Sequence, residues 1–168
     1  NELGVNVIIC DHHLPGDEIP KAVAVLDPKQ PGCQYPFKEL CGCGVGFKLL
    51  HGFCLQNTVD MDELFEYLDF VALSIGSDIV PIVGENRILA HYGLKKLNQQ
   101  PSLGLEALKE ISGMKKEMTI SDVVFYIGPR INAAGRLTQR AGVRSQSTEF
   151  RSLSPATFRR VSQPGSQR

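Results

Sequence analysis

Asp11, His12 and His13 stand side by side directly after an apolar run, Val5 to Cys10 (VNVIIC). A carboxylate next to two imidazoles offers oxygen and nitrogen donors that suit Mn²⁺ or a similar divalent ion. Successive side chains of an extended segment point to opposite faces, so the three cannot all meet one ion. One histidine would ligate the metal and the other would face the substrate. Asp11 would orient an imidazole through its second nitrogen. Three residues alone do not make a metal site, and a polar strand end without chemistry is the competing reading.

Further donors have to come from elsewhere in the chain. Asp78, in SIGSDIVP, follows an apolar stretch and is the next acid suited to a metal; the ordinary alternative is a helix cap or turn former. Glu85-Asn86-Arg87 lies just beyond and reads most simply as capping of the helix that follows. The segment Gly128-Pro129-Arg130-Ile131-Asn132-Ala133-Ala134-Gly135-Arg136 combines two arginines and an asparagine with small residues. Guanidinium groups pair with phosphate in a two-pronged fashion, so this reads as a loop that grips a phosphodiester, against a structural turn with surface arginines. Cys41-x-Cys43 lacks the second pair that a structural zinc site requires. His51 and His91 fall inside amphipathic helices and read as ordinary core or surface residues.

The elements that must position these groups alternate. Val5–Cys10 reads as a buried strand of a parallel sheet, and Ala22–Leu26 (AVAVL) as a second. In open α/β sheets ligands bind just outside the carboxyl ends of strands, where Asp11-His12-His13 falls. Apolar residues recur at helical spacing from Cys43 to Gln56, with Gly42, Gly44 and Gly46 crowding the start for close packing or the approach of a phosphate. Met61–Ser74, Arg87–Leu97 and Leu103–Ile111 read as further helices, and Pro81 ends regular structure between the first two. A short helix is expected from an N-cap at Ser121 to Ile127, before the arginine loop. Strands interleaved with helices define an α/β class: a parallel-sheet core followed by a mostly helical segment.

Composition narrows the function classes. Hydrophobic content of 42% and charged content of 21% are those of an ordinary folded protein. No apolar run approaches the roughly 20 residues that span a bilayer, so no membrane role is expected. The net charge is zero but uneven: residues 1–139 carry 12 Lys and Arg against 17 Asp and Glu, and residues 140–168 carry 6 against 1. A body without bulk positive charge argues for local contacts with nucleic acid, through a few arginines or metal ions. Five cysteines, an odd number lying mostly in apolar segments, fit reduced thiols and a cytoplasmic location. The first residues show no initiator Met and no leader pattern, as expected of an internal segment of a longer protein. After Leu137 the chain becomes rich in Ser, Arg and Gln without periodicity. Residues 138–168 read as a disordered tail, or as one that a shifted reading frame or cloning scar has put in place of the true continuation.

Three ordered stretches together resemble the DHH phosphoesterase superfamily, in its single-strand-DNA exonuclease branch. They are VIICDHHLPGDEIPKAVAVLDPKQPGCQYPFKELCGCGVGFKLL, VALSIGSDIVPIVGENR and FYIGPRINAAGRL. The triplet alone is weak; with the LPG turn, the CGCGVGFKLL helix and the terminal GPRINAAGR it is specific. The resemblance runs from Val5 to Leu137 and implies a metal-dependent phosphodiesterase. Such an enzyme hydrolyses single-stranded DNA from its 5′ end in recombination and repair, with two Mn²⁺ or Mg²⁺ ions activating water.

Carried over by position, His12 and Asp78 resemble metal ligands. His13 resembles the residue that meets the scissile phosphate, and Asp11 the group that orients the histidines. Arg130, Asn132 and Arg136 resemble the substrate-facing loop. The resemblance implies single-stranded DNA as substrate, with single-strand binding protein and a helicase as further partners. It assigns residues 1–82 to the C-terminal part of the catalytic domain. Residues 83–137 become a helical connector and the start of a second domain.

Departures from the family pattern matter as much. Its earlier aspartate motifs, one of DxDG type, and its later glycine-histidine motif do not occur in this sequence, and Ser77 stands where an alanine is usual. The 168-residue chain alone is therefore expected to have little or no nuclease activity. Two other readings stay open: a phosphodiesterase of the same superfamily acting on cyclic dinucleotides or very short RNA, and a catalytically inactive scaffold.

Overall fold

A computed structural model describes residues 4–133; Arg136 and the expected tail at 138–168 lie outside the described residues. The chain divides into a unit at 1–130 and another at 131–168, of which only 131–133, helical in backbone, are described.

Two short strands, β1 (Ile8–Cys10) and β2 (Ala24–Leu26), pair in parallel with Ile9 opposite Val25. Both are shorter than the apolar runs that announced them. The ladder is prolonged at each end by single bonds, Val23 N–H to the Val7 carbonyl and Asp11 N–H to the Leu26 carbonyl, both at 2.9 Å. The second of these fixes Asp11 at the carboxyl end of β1. With helices packed beside the strands, the architecture is α/β.

The helices α1 (Gly42–Asn57), α2 (Met61–Phe65), α3 (Leu68–Ser77), α4 (Gly84–Gln99) and α5 (Leu103–Ile111) follow. The expected helix Met61–Ser74 is therefore broken. Tyr67, at φ −99° and ψ 4°, leaves helical geometry, so Leu64 and the Val71–Ile75 face each reach the core from a separate axis. Helix α4 begins three residues earlier than its periodicity suggested. Beyond α5, Thr119, not Ser121, caps the short α6 (Ile120–Asp122) in a reciprocal capping box with Asp122. Val123–Ile127 is a π-helical turn, and the backbone of 128–133 continues as helix where a loop was expected.

Leu40, Cys41, Val45, Phe47, Leu64, Val71, Ile75 and Leu89 form the core, with Cys10 and Leu26 of the strands packed against it. The tightest seam joins α3 to α4. A Cβ at Gly93 would collide with the Leu68 carbonyl and sit 2.6 Å from the Ala72 Cβ. Gly76 plays the same part toward Val123, whose Cγ1 lies 2.6 Å from where its Cβ would be. Buried polar groups are tied to backbone: Asp69 accepts the Ser102 N–H at 2.8 Å, and Asn98 grips both the N–H and the carbonyl of Met118. All five cysteines are free thiols. Among the described residues no helix is long and apolar enough to cross a membrane.

Candidate metal and phosphate site

The site grows from the end of β1. Asp11 turns its carboxylate over the next two residues: Oδ1 accepts the His12 N–H at 2.7 Å, the His13 N–H at 3.1 Å and the His13 Nδ1 at 2.7 Å. These bonds, the His13 side chain first, hold the Asp11 carboxyl down at about 2. The same bonds separate the two histidines. The His13 ring is pinned through Nδ1 to Asp11 and its side chain is 76% exposed, leaving Nε2 free to meet a ligand. The His12 ring turns inward, 15% exposed, toward the far side of the fold.

There it meets Asp78. His12 Nε2 lies 3.6 Å from Asp78 Oδ2 although 66 residues separate the two in sequence. Asp78 is the C-cap residue of α3, so the helix-cap reading and the site reading describe the same position. Its Oδ2 accepts the Gly42 N–H at 3.3 Å and the Ser74 hydroxyl at 2.9 Å. The Ser74 hydroxyl in turn accepts the Cys43 N–H at 3.3 Å. Two of the unsatisfied amides at the start of α1 thus find partners in this corner, where a negative charge is also favoured by the helix dipole. Gly42 lies beside both groups: a Cβ there would be in ordinary contact with the His12 ring at 3.4 Å and with Asp78 Oδ2 at 4.0 Å. Immediately after Asp78 the chain turns sharply at Ile79, whose φ of 54° is left-handed, an uncommon and strained state for a β-branched residue.

Two donors that each sit roughly 2.1 Å from one cation lie about 3.0–3.5 Å apart. The His12–Asp78 separation of 3.6 Å is close to that, and an imidazole with a carboxylate suits Mn²⁺ in kind. The donor set is nevertheless incomplete. Among the described residues no group of three or more His, Cys, Asp or Glu could hold a metal ion.

The remaining sequence candidates are placed as follows. Arg130 turns its guanidinium back onto the Tyr126 carbonyl at 2.5 Å. Asn132 belongs to the second unit and Arg136 lies outside the described residues. Cys41 is fully buried and caps α1, its sulfur accepting the Gly44 N–H at 3.2 Å, whereas Cys43 is exposed. Glu85 receives the Tyr35 hydroxyl at 2.8 Å and pairs with Lys48 at 3.0 Å, more than the local capping read from sequence. Burial and the Glu85 charge together push the Tyr35 phenol up. Asn86, fully buried, donates to the carbonyls of Glu39 and Pro81, so it ties the approach to α1 to the turn after Asp78. Sequence reasoning missed the roles of Gly42, Ser74 and Asn86. The glycine cluster was a signal for the first. The spacing of four residues between Ser74 and Asp78 is a signal for the second only once Asp78 has a role.

Comparison with known proteins adds an independent line. Residues 1–75 match the DHH family, N-terminal domain. The chain is 47% identical over 139 residues to the single-stranded-DNA-specific exonuclease RecJ of Bacillus subtilis (strain 168), covering 82% of this chain and 17% of that relative. It is 40% identical over 146 residues to the RecJ of Salmonella typhimurium, covering 80% of this chain and 25% of that one. The crystal structure of RecJ in complex with Mn²⁺ from Thermus thermophilus superposes with a TM-score of 0.66 at 34% identity, over 81% of this chain and 20% of that chain. This chain spans a quarter or less of the length of these relatives. Strand-end triplet, partnered aspartate and matched segments agree: residues 1–75 are similar to the DHH family, N-terminal domain, and the chain is similar to RecJ exonucleases over four-fifths of its length.

Proposed function

We propose that this chain carries part of the catalytic apparatus of a single-strand-DNA-specific 5′→3′ exonuclease that hydrolyses phosphodiester bonds with divalent cations in DNA recombination and repair. The observation that carries the reading is the approach of His12 Nε2 to Asp78 Oδ2 at 3.6 Å, two residues brought together from opposite ends of the catalytic segment. Two similar structures, RecJ with Mn²⁺ and exonuclease RecJ bound to manganese, support the choice of metal, and the similar single-stranded-DNA-specific exonucleases that of substrate.

In this reading His12 and Asp78 hold one side of a Mn²⁺ or Mg²⁺ site, which in the full enzyme takes two ions. Bound there, the ions neutralise phosphate charge and lower the pKa of water. Asp11 holds His13 with its proton on Nδ1, so Nε2 faces outward at the position of the scissile phosphate. The Gly42 amide, at the start of α1, donates to Asp78 Oδ2 beside the His12 ring. Arg130, Asn132 and Arg136 are assigned to the DNA backbone. Residues 1–82 form the C-terminal part of the catalytic domain, and 83–137 lead into a second one. Single-strand binding protein and a helicase are proposed as further partners, and the cytoplasm as the location.

With two cation ligands contributed by the described residues, the 168-residue chain alone should release little or nothing from 5′-labelled single-stranded DNA in Mn²⁺. A protein of the relatives' length that carries this chain should degrade it stepwise. Robust 5′ release by the chain alone would overturn the half-site reading. A long protein that spares DNA but cleaves cyclic dinucleotides, or cleaves neither, would point to the small-substrate phosphodiesterase or the inactive scaffold.

A further inference from the structure

We propose that Ser74 is a positioning residue for Asp78: its hydroxyl, anchored on the first turn of α1, holds the carboxylate in the orientation that meets a divalent cation beside His12. The inference rests on the reading of His12 and Asp78 as cation ligands.

Ser74 and Asp78 are four residues apart on α3 and its cap, so their side chains lie on one face. A hydroxyl has one hydrogen to give and two lone pairs to receive with. Here a lone pair receives the Cys43 N–H at 3.3 Å, and the hydrogen goes to Asp78 Oδ2 at 2.9 Å. The Gly42 N–H reaches the same oxygen at 3.3 Å. Both donors on Oδ2 are therefore fixed to the amino end of α1, one directly and one through Ser74. The same Oδ2 is the carboxylate oxygen that lies 3.6 Å from His12 Nε2, so the two hydrogen bonds set the place of the oxygen that faces the imidazole.

Little else restrains this carboxylate. The Asp78 side chain is 30% exposed, and the next residue, Ile79, is 76% exposed and turns the chain away. The His12 ring, its partner across the site, rests against Gly42 of the same helix turn. The first turn of α1 is thus a common platform: the Gly42 amide meets the carboxylate directly, and the Cys43 amide, relayed by Ser74, sets its rotation. A serine that merely satisfied the Cys43 amide would contribute to folding and leave cation affinity untouched. A positioning serine contributes to affinity in addition, because an unrestrained carboxylate must give up its rotation when it ligates.

The test is Mn²⁺ binding by a protein of the relatives' length that carries this chain, read from the electron paramagnetic resonance signal of free aqueous Mn²⁺, with melting followed by circular dichroism. Ser74→Ala should bind roughly tenfold more weakly than the parent protein. Ser74→Thr, which keeps the hydroxyl, should bind within about twofold of it. Asp78→Asn should abolish the same binding. If Ser74→Ala melts below the working temperature, Ser74→Cys, a weak donor, takes its place with the same expectation. Asp78-dependent binding that neither Ser74→Ala nor Ser74→Cys alters would overturn the inference and leave the cation reading standing. A parent protein without Asp78-dependent binding would overturn both.

Discussion

Helix α3 is held by opposite means at its two ends. Its first half lies against α4 so closely that Gly93 has no room for a Cβ beside Leu68 and Ala72, and its inner residues Val71 and Ile75 are almost wholly buried. Its last turn ends on Asp78, partly open to solvent and held by three polar neighbours: the Gly42 amide, the Ser74 hydroxyl and the His12 ring. The first end supplies stability through contact at van der Waals distance. The second spends some of it, since Ile79 adopts a left-handed turn immediately beyond Asp78. A rigid helix delivering a loosely covered carboxylate suits the proposed role of Asp78, because a ligand's direction has to be set while a coordination position stays open.

The contrast can be broken from either side. The largest effect should come from the seam. Gly93→Val forces α3 and α4 apart and should cost about 3 kcal/mol in urea denaturation. A cost below about 1 kcal/mol would mean that the seam yields easily and the two ends of α3 are not so different. At the other end, Asp78→Asn should weaken Mn²⁺ binding by at least about 100-fold, roughly 2.7 kcal/mol. Its effect on folding should stay near the ~1 kcal/mol of a lost helix cap. Unfolding on that substitution would show that Asp78 is chiefly structural.

A smaller change of opposite sign is expected at Ile79→Gly, which should raise stability by about 1 kcal/mol by relieving the left-handed backbone. Lower thermal stability in that variant would argue that Ile79 is not strained. The smallest effect concerns the capping box beside the seam. The Asp122 carboxyl is held below its ordinary value of 3.8, first by the Thr119 N–H and hydroxyl and then by Lys116. A depressed folded value means that its contribution is complete above the ordinary carboxylate range and is lost as pH falls through the lowered value. Carboxyl chemical shifts followed through acid should place its midpoint below 3.8; a midpoint at or above that would dissolve the box.

Much of the fold was legible because its signals are local. The β-branched run before Asp11 and the AVAVL run announced two strands, and Leu103–Ile111 was legible to the residue from its periodicity. Errors came where a distant partner decides. The break at Tyr67 follows from two core-facing directions that a single helical pattern cannot show. The helical backbone at 128–133 overrode the Gly-Pro and Gly signals of the arginine segment. Single-residue arithmetic likewise misplaced the last N-cap, since Thr119 and Asp122 satisfy each other and Ser121 satisfies neither.

For the site, the sequence by itself determined the chemistry. Residue types at a strand end, and the motifs around them, singled out Asp11-His12-His13 and Asp78 as candidates and the kind of ion they would suit. What only the tertiary structure decided was direction. Side-chain alternation required His12 and His13 to diverge. Which one turned inward depended on Asp11 capturing His13, and on a helix start packed 30 residues downstream of His12. Ser74, Gly42 and Asn86 acquire roles only through that packing. Each has at least one partner tens of residues away in sequence, and no local pattern encodes a distance between segments that meet only once the core has formed.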